Sequence, residues 1–115
     1  MIKCKIKNKI VYIDVEGGFS YGKFEKELEK IMNSGEKYIG FISRGDFLEH
    51  TDSSVYKKCS DHHKKYHPNL PNACLLNNKA KVILGNIYIH VTGEINTKMF
   101  TDKKEAINWI KNFNK

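Results

Sequence analysis

The stretch from Ala73 to Phe113 places the tightest constraint on how this chain can fold. It reads Ala-Cys-Leu-Leu-Asn-Asn, then Lys-Ala-Lys-Val-Ile-Leu-Gly-Asn-Ile-Tyr-Ile, and, from Thr97, Thr-Lys-Met-Phe-Thr-Asp-Lys-Lys-Glu-Ala-Ile-Asn-Trp-Ile. Its first part, Ala73 to Leu76, is a short apolar run that reads as a strand. Its last part is a short strand ending at Phe100, followed by a helix with Asp102 as N-cap and Glu105 three residues on, the pattern of a capping box. Ala106, Trp109, Ile110 and Phe113 recur at helical spacing and form the core face of that closing helix. The segment Lys81 to Val91 decides the topology. Propensity alone folds it as a hairpin, with β-branched arms either side of a Gly85-Asn86 turn. A helix instead alternates with the strands before and after it, as a β-α-β crossover requires. We take the helix. Its β-branched residues make it weak in isolation, so packing has to hold it.

The N-terminal half fits the same scheme. Ile2, Cys4 and Ile6 alternate with Lys3, Lys5 and Lys7, a period of two with one face buried and one in water. Asn8-Lys9 makes a tight turn into a second strand, Ile10 to Val15, so the first pair is a hairpin. Ser20 caps a helix from Tyr21 to Asn33 with the stripe Phe24, Leu28, Ile31 and Met32. Gly35 follows, where a left-handed residue ends a helix. Tyr38 to Ser43 reads as a buried strand. Thr51 or Asp52 caps the next helix, whose inner face is Val55, Cys59, His62 and Tyr66, and Pro68 and Pro71 stop it. The expected fold class is α/β: one domain over residues 1–115, a mixed sheet of four or five strands with an N-terminal hairpin and the remaining strands largely parallel, and about four helices.

Composition narrows the setting more than the chemistry. The chain has 115 residues, 20 Lys plus Arg against 13 Asp plus Glu, and a net charge of +7. The lysines are dispersed (Lys3, Lys5, Lys7 and Lys9 on one segment, Lys57, Lys58, Lys64 and Lys65 on another) and read as solvated faces. With one arginine and no pattern of stacking aromatics, nucleic acid is not the expected partner. Cys4, Cys59 and Cys74 are odd in number and widely spaced, which points to reduced thiols and a cytoplasmic setting. No apolar segment follows the N-terminal lysine as in a signal peptide, and the longest apolar stretch, Val82 to Val91, is too short to span a bilayer.

No residue constellation specifies a reaction. H-E-x-x-H, G-x-S-x-G and a facing pair of carboxylates are all missing, so the expectation is a non-catalytic protein with no cofactor. Arg44 leaves the end of a central strand, where open α/β sheets bind ligands, and together with Asp46 it is a candidate binding residue for a phosphate or carboxylate. The more ordinary reading pairs Arg44 locally with Asp46 or Glu49. Cys59, His63 and His67 stand four residues apart in succession, but Cys59 and His67 are about 12 Å apart along a helix, too far for one metal ion. No metal site is assigned. His62 is expected at the rim of the core and His63 in solvent. Glu16 to Gly22 is a Gly-rich approach to a helix without P-loop or dinucleotide spacing, and loop flexibility accounts for it.

Leu84-Gly85-Asn86 and the Phe-Thr-Asp-x-x-Glu-Ala-x-x-Trp-Ile of residues 100–110 resemble the small STAS-like (SpoIIAA-like) bacterial and archaeal domains, related in architecture to lipid-binding CRAL-TRIO domains. That resemblance also places a helix over the contested segment. It implies a non-enzymatic regulatory module that binds a protein partner of kinase or sigma-regulatory type, or else a small hydrophobic ligand. Asp52-Ser53-Ser54 is similar to the Asp-Ser-Ser that opens a helix in anti-sigma-factor antagonists of this group, which implies Asp52 in the contact region and Ser53 or Ser54 as phospho-acceptor. The chain departs from that pattern in a longer preceding loop and in Val55-Tyr56-Lys57 where Gly-Leu-Gly is usual, and the residues themselves favour plain helix capping by Asp52 and Ser53. Ile83, Leu84, Ile87, Tyr88 and Val91 give the apolar helix more than one apolar side, as expected for a ligand pocket or an interface such as a homodimer face, with Ile83, Ile87, Tyr88 and Val91 as its candidate lining.

Overall fold

The alternating N-terminus pairs as a hairpin. A computed structural model of the chain describes residues 2–17, 20–45, 53–92 and 96–113. In it β1 (Ile2–Lys7) and β2 (Ile10–Val15) run antiparallel, Ile2 opposite Val15 and Lys7 opposite Ile10. Asn8 and Lys9 turn the chain at φ 52° and 66°. Two successive positive φ values make the turn whose twist suits a hairpin, a conformation that Asn tolerates and Lys does not favour.

Three crossovers follow. α1 (Tyr21–Asn33) begins at Ser20, whose hydroxyl accepts from the Lys23 N–H, and ends before Gly35 at φ 77°. β3 (Gly40–Gly45) starts two residues later than the apolar run Tyr38–Ser43 predicts. Its start is set by pairing with β2, Gly40 against Ile10, and the Ile39 N–H is already taken by the Lys9 carbonyl at 2.8 Å. α2 (Ser53–Tyr66) leads to β4 (Asn72–Leu75), α3 (Lys79–Thr92) to β5 (Thr97–Phe100), and α4 (Lys103–Asn112) closes the chain. The contested segment is therefore a helix. Asp102 caps α4 by accepting from the Lys104 N–H at 3.0 Å.

The five strands lie in sequence order, β1-β2-β3-β4-β5, antiparallel between β1 and β2 and parallel thereafter. The fold is thus α/β with a mixed five-stranded sheet and, among the described residues, four helices. Right-handed crossovers advancing in one direction put every crossover helix on the same face. The two cores show that division. Val11, Ile13, Val15, Phe41, Cys74 and Met99 meet Phe24 and Leu28 of α1 and Ile89 of α3 on one face. Ile10, Tyr12, Ile42, Ala73 and Phe100 meet Ala106 and Ile110 of α4 on the other. α4 reaches β3, β4 and β5, so Lys3, Lys5 and Lys7 on the same side of β1 stay in water.

α3 sits unusually close to β5, for two reasons. A Cβ on Gly85 would lie 2.0 Å from Met99 Sδ. The next residue, Asn86, uses its side-chain amide like a short piece of strand: its Oδ1 accepts from the Met99 N–H at 2.8 Å and its Nδ2 donates to the Met99 carbonyl at 3.2 Å. The carbonyls of Asn96, just before β5, and of Phe100 at its end face β4 and accept from Asn72 and Leu76, which sets the alternation along the strand. Met99 therefore points its backbone groups away from the sheet, and Asn86 satisfies both.

Asn86→Leu leaves both Met99 groups unpaired beneath α3 and is expected to cost about 2 kcal/mol, measured by urea unfolding. Lys9→Gly relieves the left-handed residue in the hairpin turn and is expected to raise stability by about 0.5–1 kcal/mol. A lowered melting temperature for Lys9→Gly would contradict the turn geometry.

Candidate functional site

Arg44 stands near the C-terminal end of β3, where the sequence predicts a binding residue, and it pairs across the sheet. The guanidinium makes a fork to Asp14, Nε to Oδ1 and Nη2 to Oδ2, the second at 3.3 Å. Asp14 lies directly opposite Arg44 on the neighbouring parallel strand. The pairing expected with Asp46 or Glu49 lies outside the described residues, while strand register brings in an acid 30 residues away, which a local reading cannot find. The Arg44 guanidinium also lies 5.1 Å from the centre of the Tyr12 ring, and Lys103 of α4 approaches the same ring at 5.1 Å. Arg44 is therefore held as part of the sheet's α4 side, with its fork already committed to Asp14. Gly45 ends the strand at φ 126°, and a Cβ there would lie 2.0 Å from the Val15 carbonyl oxygen. Only glycine lets the chain leave β3 so close to β2.

Asp46 and Asp52, the other two candidate binding residues, lie outside the described residues, as do Glu49 and Thr51. Ser53 and Ser54 form the first two positions of α2, directly after the β3 connection. Their side chains, like that of Val55, lie outside what is described.

The inner side of α2 is built from histidine. His62, 4% exposed, is buried between the helices, its ring edge-on to Phe24 at 5.5 Å and to Tyr21 at 6.3 Å. It is thus inside the α1–α2 contact and not at a rim. Its Nδ1 is buried without a hydrogen-bond partner among the described residues. His63 is half-buried instead of exposed, because its Nε2 donates to the Leu70 carbonyl at 2.6 Å and its ring lies edge-on to Phe41 at 5.3 Å. Tyr66, expected on the inner face, is 46% exposed and packs its ring on His62 at 4.7 Å. His67, just past the helix, is buried, shares a 2.9 Å hydrogen bond with the Tyr38 hydroxyl and packs 4.7 Å from Phe41. The Nε2 atoms of His63 and His67 are thus used on different partners and do not converge. Burial pushes the Cys59 thiol up to about 12, which leaves it protonated and a poor nucleophile at neutral pH. Cys4 is pushed up to about 12 as well, by burial and by the nearby Glu27 and Asp14.

The third candidate region is the outer side of α3. Ile89 is buried and Val82 packs against the core, while Gly85 and Asn86 face β5. Ile83, Leu84 and Ile87 lie on the opposite side, 61%, 67% and 55% exposed. Leu84, which the sequence places among the apolar residues of this helix, belongs to the same stripe. The side chains of Tyr88 and Val91 lie outside the described residues. Among those described, no helix is long and apolar enough to cross a membrane.

The chain belongs to the family described as Domain of unknown function (DUF7793), whose model matches residues 53–114, more than half of the chain, from the start of α2 through α4. No curated protein and no solved structure matches it.

The histidines make stability depend on pH. Burial, with His63 and His62 nearby, holds the His67 imidazole down at about 4, against roughly 6.5 in an unfolded chain. Between those values the unfolded chain binds more protons. The contribution of neutral His67 is therefore complete above roughly pH 6.5 and is lost as the pH falls towards 4, on the order of 3 kcal/mol in all. Urea unfolding of wild type and His67→Gln across that range checks this. An equal pH slope in the two proteins would remove His67 as the cause.

Proposed function

Taking this family membership as the premise, we propose that the chain is a non-catalytic, cytoplasmic interaction module of STAS type, and that the outer side of α3 is its docking element. One observation carries the reading: three large aliphatic side chains, Ile83, Leu84 and Ile87, stand more than half exposed on one stripe of a helix whose other side is already buried. A helix apolar on both sides calls for cover on both sides. Exposed single hydrophobic residues need no explanation, but a contiguous stripe marks an interaction surface. The same exposure favours an interface over an enclosed pocket for Ile83 and Ile87, and so favours a protein partner over a small hydrophobic ligand.

Two features support the STAS-type kinship. The strands advance in sequence with a crossover helix between successive parallel ones, and α2 opens at Ser53 directly after the connection from a parallel strand. Under this reading Ser53 or Ser54 is a phospho-acceptor. A phosphate there would be favoured by the α2 N-terminus and would change the local charge presented to a partner. Arg44, already paired with Asp14, contributes shape and charge near the strand end but not a free anion receptor.

Affinity capture with wild-type bait and with an Ile83→Glu, Ile87→Glu bait tests the docking element. A specific partner is expected to fall by about tenfold or more with the substituted bait, the equivalent of ~1.4 kcal/mol in affinity. Both substitutions lie on the surface and should leave the melting temperature nearly unchanged. Identical capture by the two baits would end the assignment of α3.

A further inference from the structure

α2 is fastened to the molecule differently from its neighbours. α1 brings Phe24 and Leu28 to the core beneath the crossover helices, and α3 brings Ile89. Among the described residues, α2 sends only the half-buried Cys59 to that core. Its remaining hold is made by imidazole rings. His62 stands edge-on to Tyr21 and Phe24 of α1, and His63 edge-on to Phe41 of β3. His67, one residue past the helix, lies against Phe41 and Tyr38. We propose that α2, with the turn as far as His67, is an acid-released latch: protonation of His62 and His67 undocks this segment from α1 and β3 while the sheet stays folded.

His62 is the clearer trigger. Its ring is buried, and its Nδ1 has no hydrogen-bond partner among the described residues. An imidazolium carries two N–H donors, so charging this ring in place leaves a donor unpaired as well as a cation out of water. Glu25 and Glu29 of α1 favour the cation, and Lys65 of α2 opposes it. Both carboxylates are exposed, so solvent screens them. Burial outweighs them and holds the imidazole below its usual range. Tyr21, against the same ring, has Lys58 6.0 Å from its own centre, with Glu25, Cys59, Tyr66 and Asp61 about it.

His67 reinforces the trigger. The titratable groups around it are Tyr38, His63 and His62, none of them a counter-charge. His63 itself gives its Nε2 proton to the Leu70 carbonyl, an acceptor that neutral and charged imidazole use alike, so it is not part of the trigger.

The sign follows from proton counting. In the docked form both His62 and His67 are held below the range of a solvated imidazole, roughly 6.5. Docking is therefore unopposed above that pH. Below it the released form binds more protons, and the opening constant rises by up to about tenfold per pH unit for each histidine. His67 alone raises it about thirtyfold between pH 7.5 and 5. Opening stays local because α2 lies outside the strand ladder and carries little of the aliphatic core. It uncovers Tyr21, Phe24 and Phe41, and it does not depend on the role proposed for α3.

Hydrogen exchange followed by mass spectrometry from pH 7.5 to 5, corrected for the intrinsic pH dependence of exchange, tests this on the whole chain. Protection of peptides from α2 is expected to fall about thirtyfold or more, while β2 and β3 keep theirs. His62→Phe retains a ring without a titrating group and should make the fall shallower. His62→Phe combined with His67→Gln should nearly abolish it, with circular dichroism at pH 7.5 confirming that the variants are folded. Protection of α2 that holds down to pH 5, or that is lost together with β2 and β3, overturns the latch. A fall of wild-type steepness in the folded double variant overturns the histidines as its trigger. The wild-type profile decides between local and global opening even if a variant does not fold.

Discussion

The handedness of the crossovers governs the layout of this molecule. Three successive parallel connections in a sheet that advances one strand at a time leave only one face for α1, α2 and α3. That face holds Phe24, Leu28, Phe41, Ile89 and Met99 in one core. The other face receives a single helix, α4, through Ala106 and Ile110. The asymmetry explains the patterning of individual strands. β2, covered on both sides, is buried at nearly every position, whereas β1 is covered on one side and alternates with lysine.

The same layout determines which polar groups are available to partners. Asp14 and Arg44 share the α4 side of adjacent strands and face each other in register, so they pair. Half-exposed pairs of this kind add little stability, but they hold a charged group in a defined place. The buried rings of His62 and His67 serve a different purpose: they fill the space beneath α2 with side chains that remain neutral near pH 7, because burial disfavours their charged forms. α3 is the exception, since its outer aliphatic groups stay more than half exposed among the described residues.

Local physics made much of this legible in the sequence. The lysine alternation in β1, the Ser20 and Asp102 caps, Gly35 after α1 and the core face of α4 each depend on neighbours a few residues away. The helical choice for α3 needed a topological argument, because its β-branched residues favour extended structure. Two contacts depend on partners beyond the local segment. Asp14 reaches Arg44 across 30 residues, and Leu70 draws His63 out of solvent by folding back across Pro68. Leu84-Gly85-Asn86 was visible as a motif but not as a device. Its meaning depends on Met99, which only the tertiary fold brings to it.

The amide of Asn86 has one more consequence. By occupying the outward N–H and carbonyl of Met99, it removes part of the template that an extended foreign segment would need for cross-β growth at that end of the sheet. The opposite end carries Lys3, Lys5 and Lys7, whose mutual repulsion disfavours stacking of identical chains. The protein thus guards the two termini of its sheet by different chemistry, and an aliphatic helix surface can be left open without making the strands beside it prone to fibril formation.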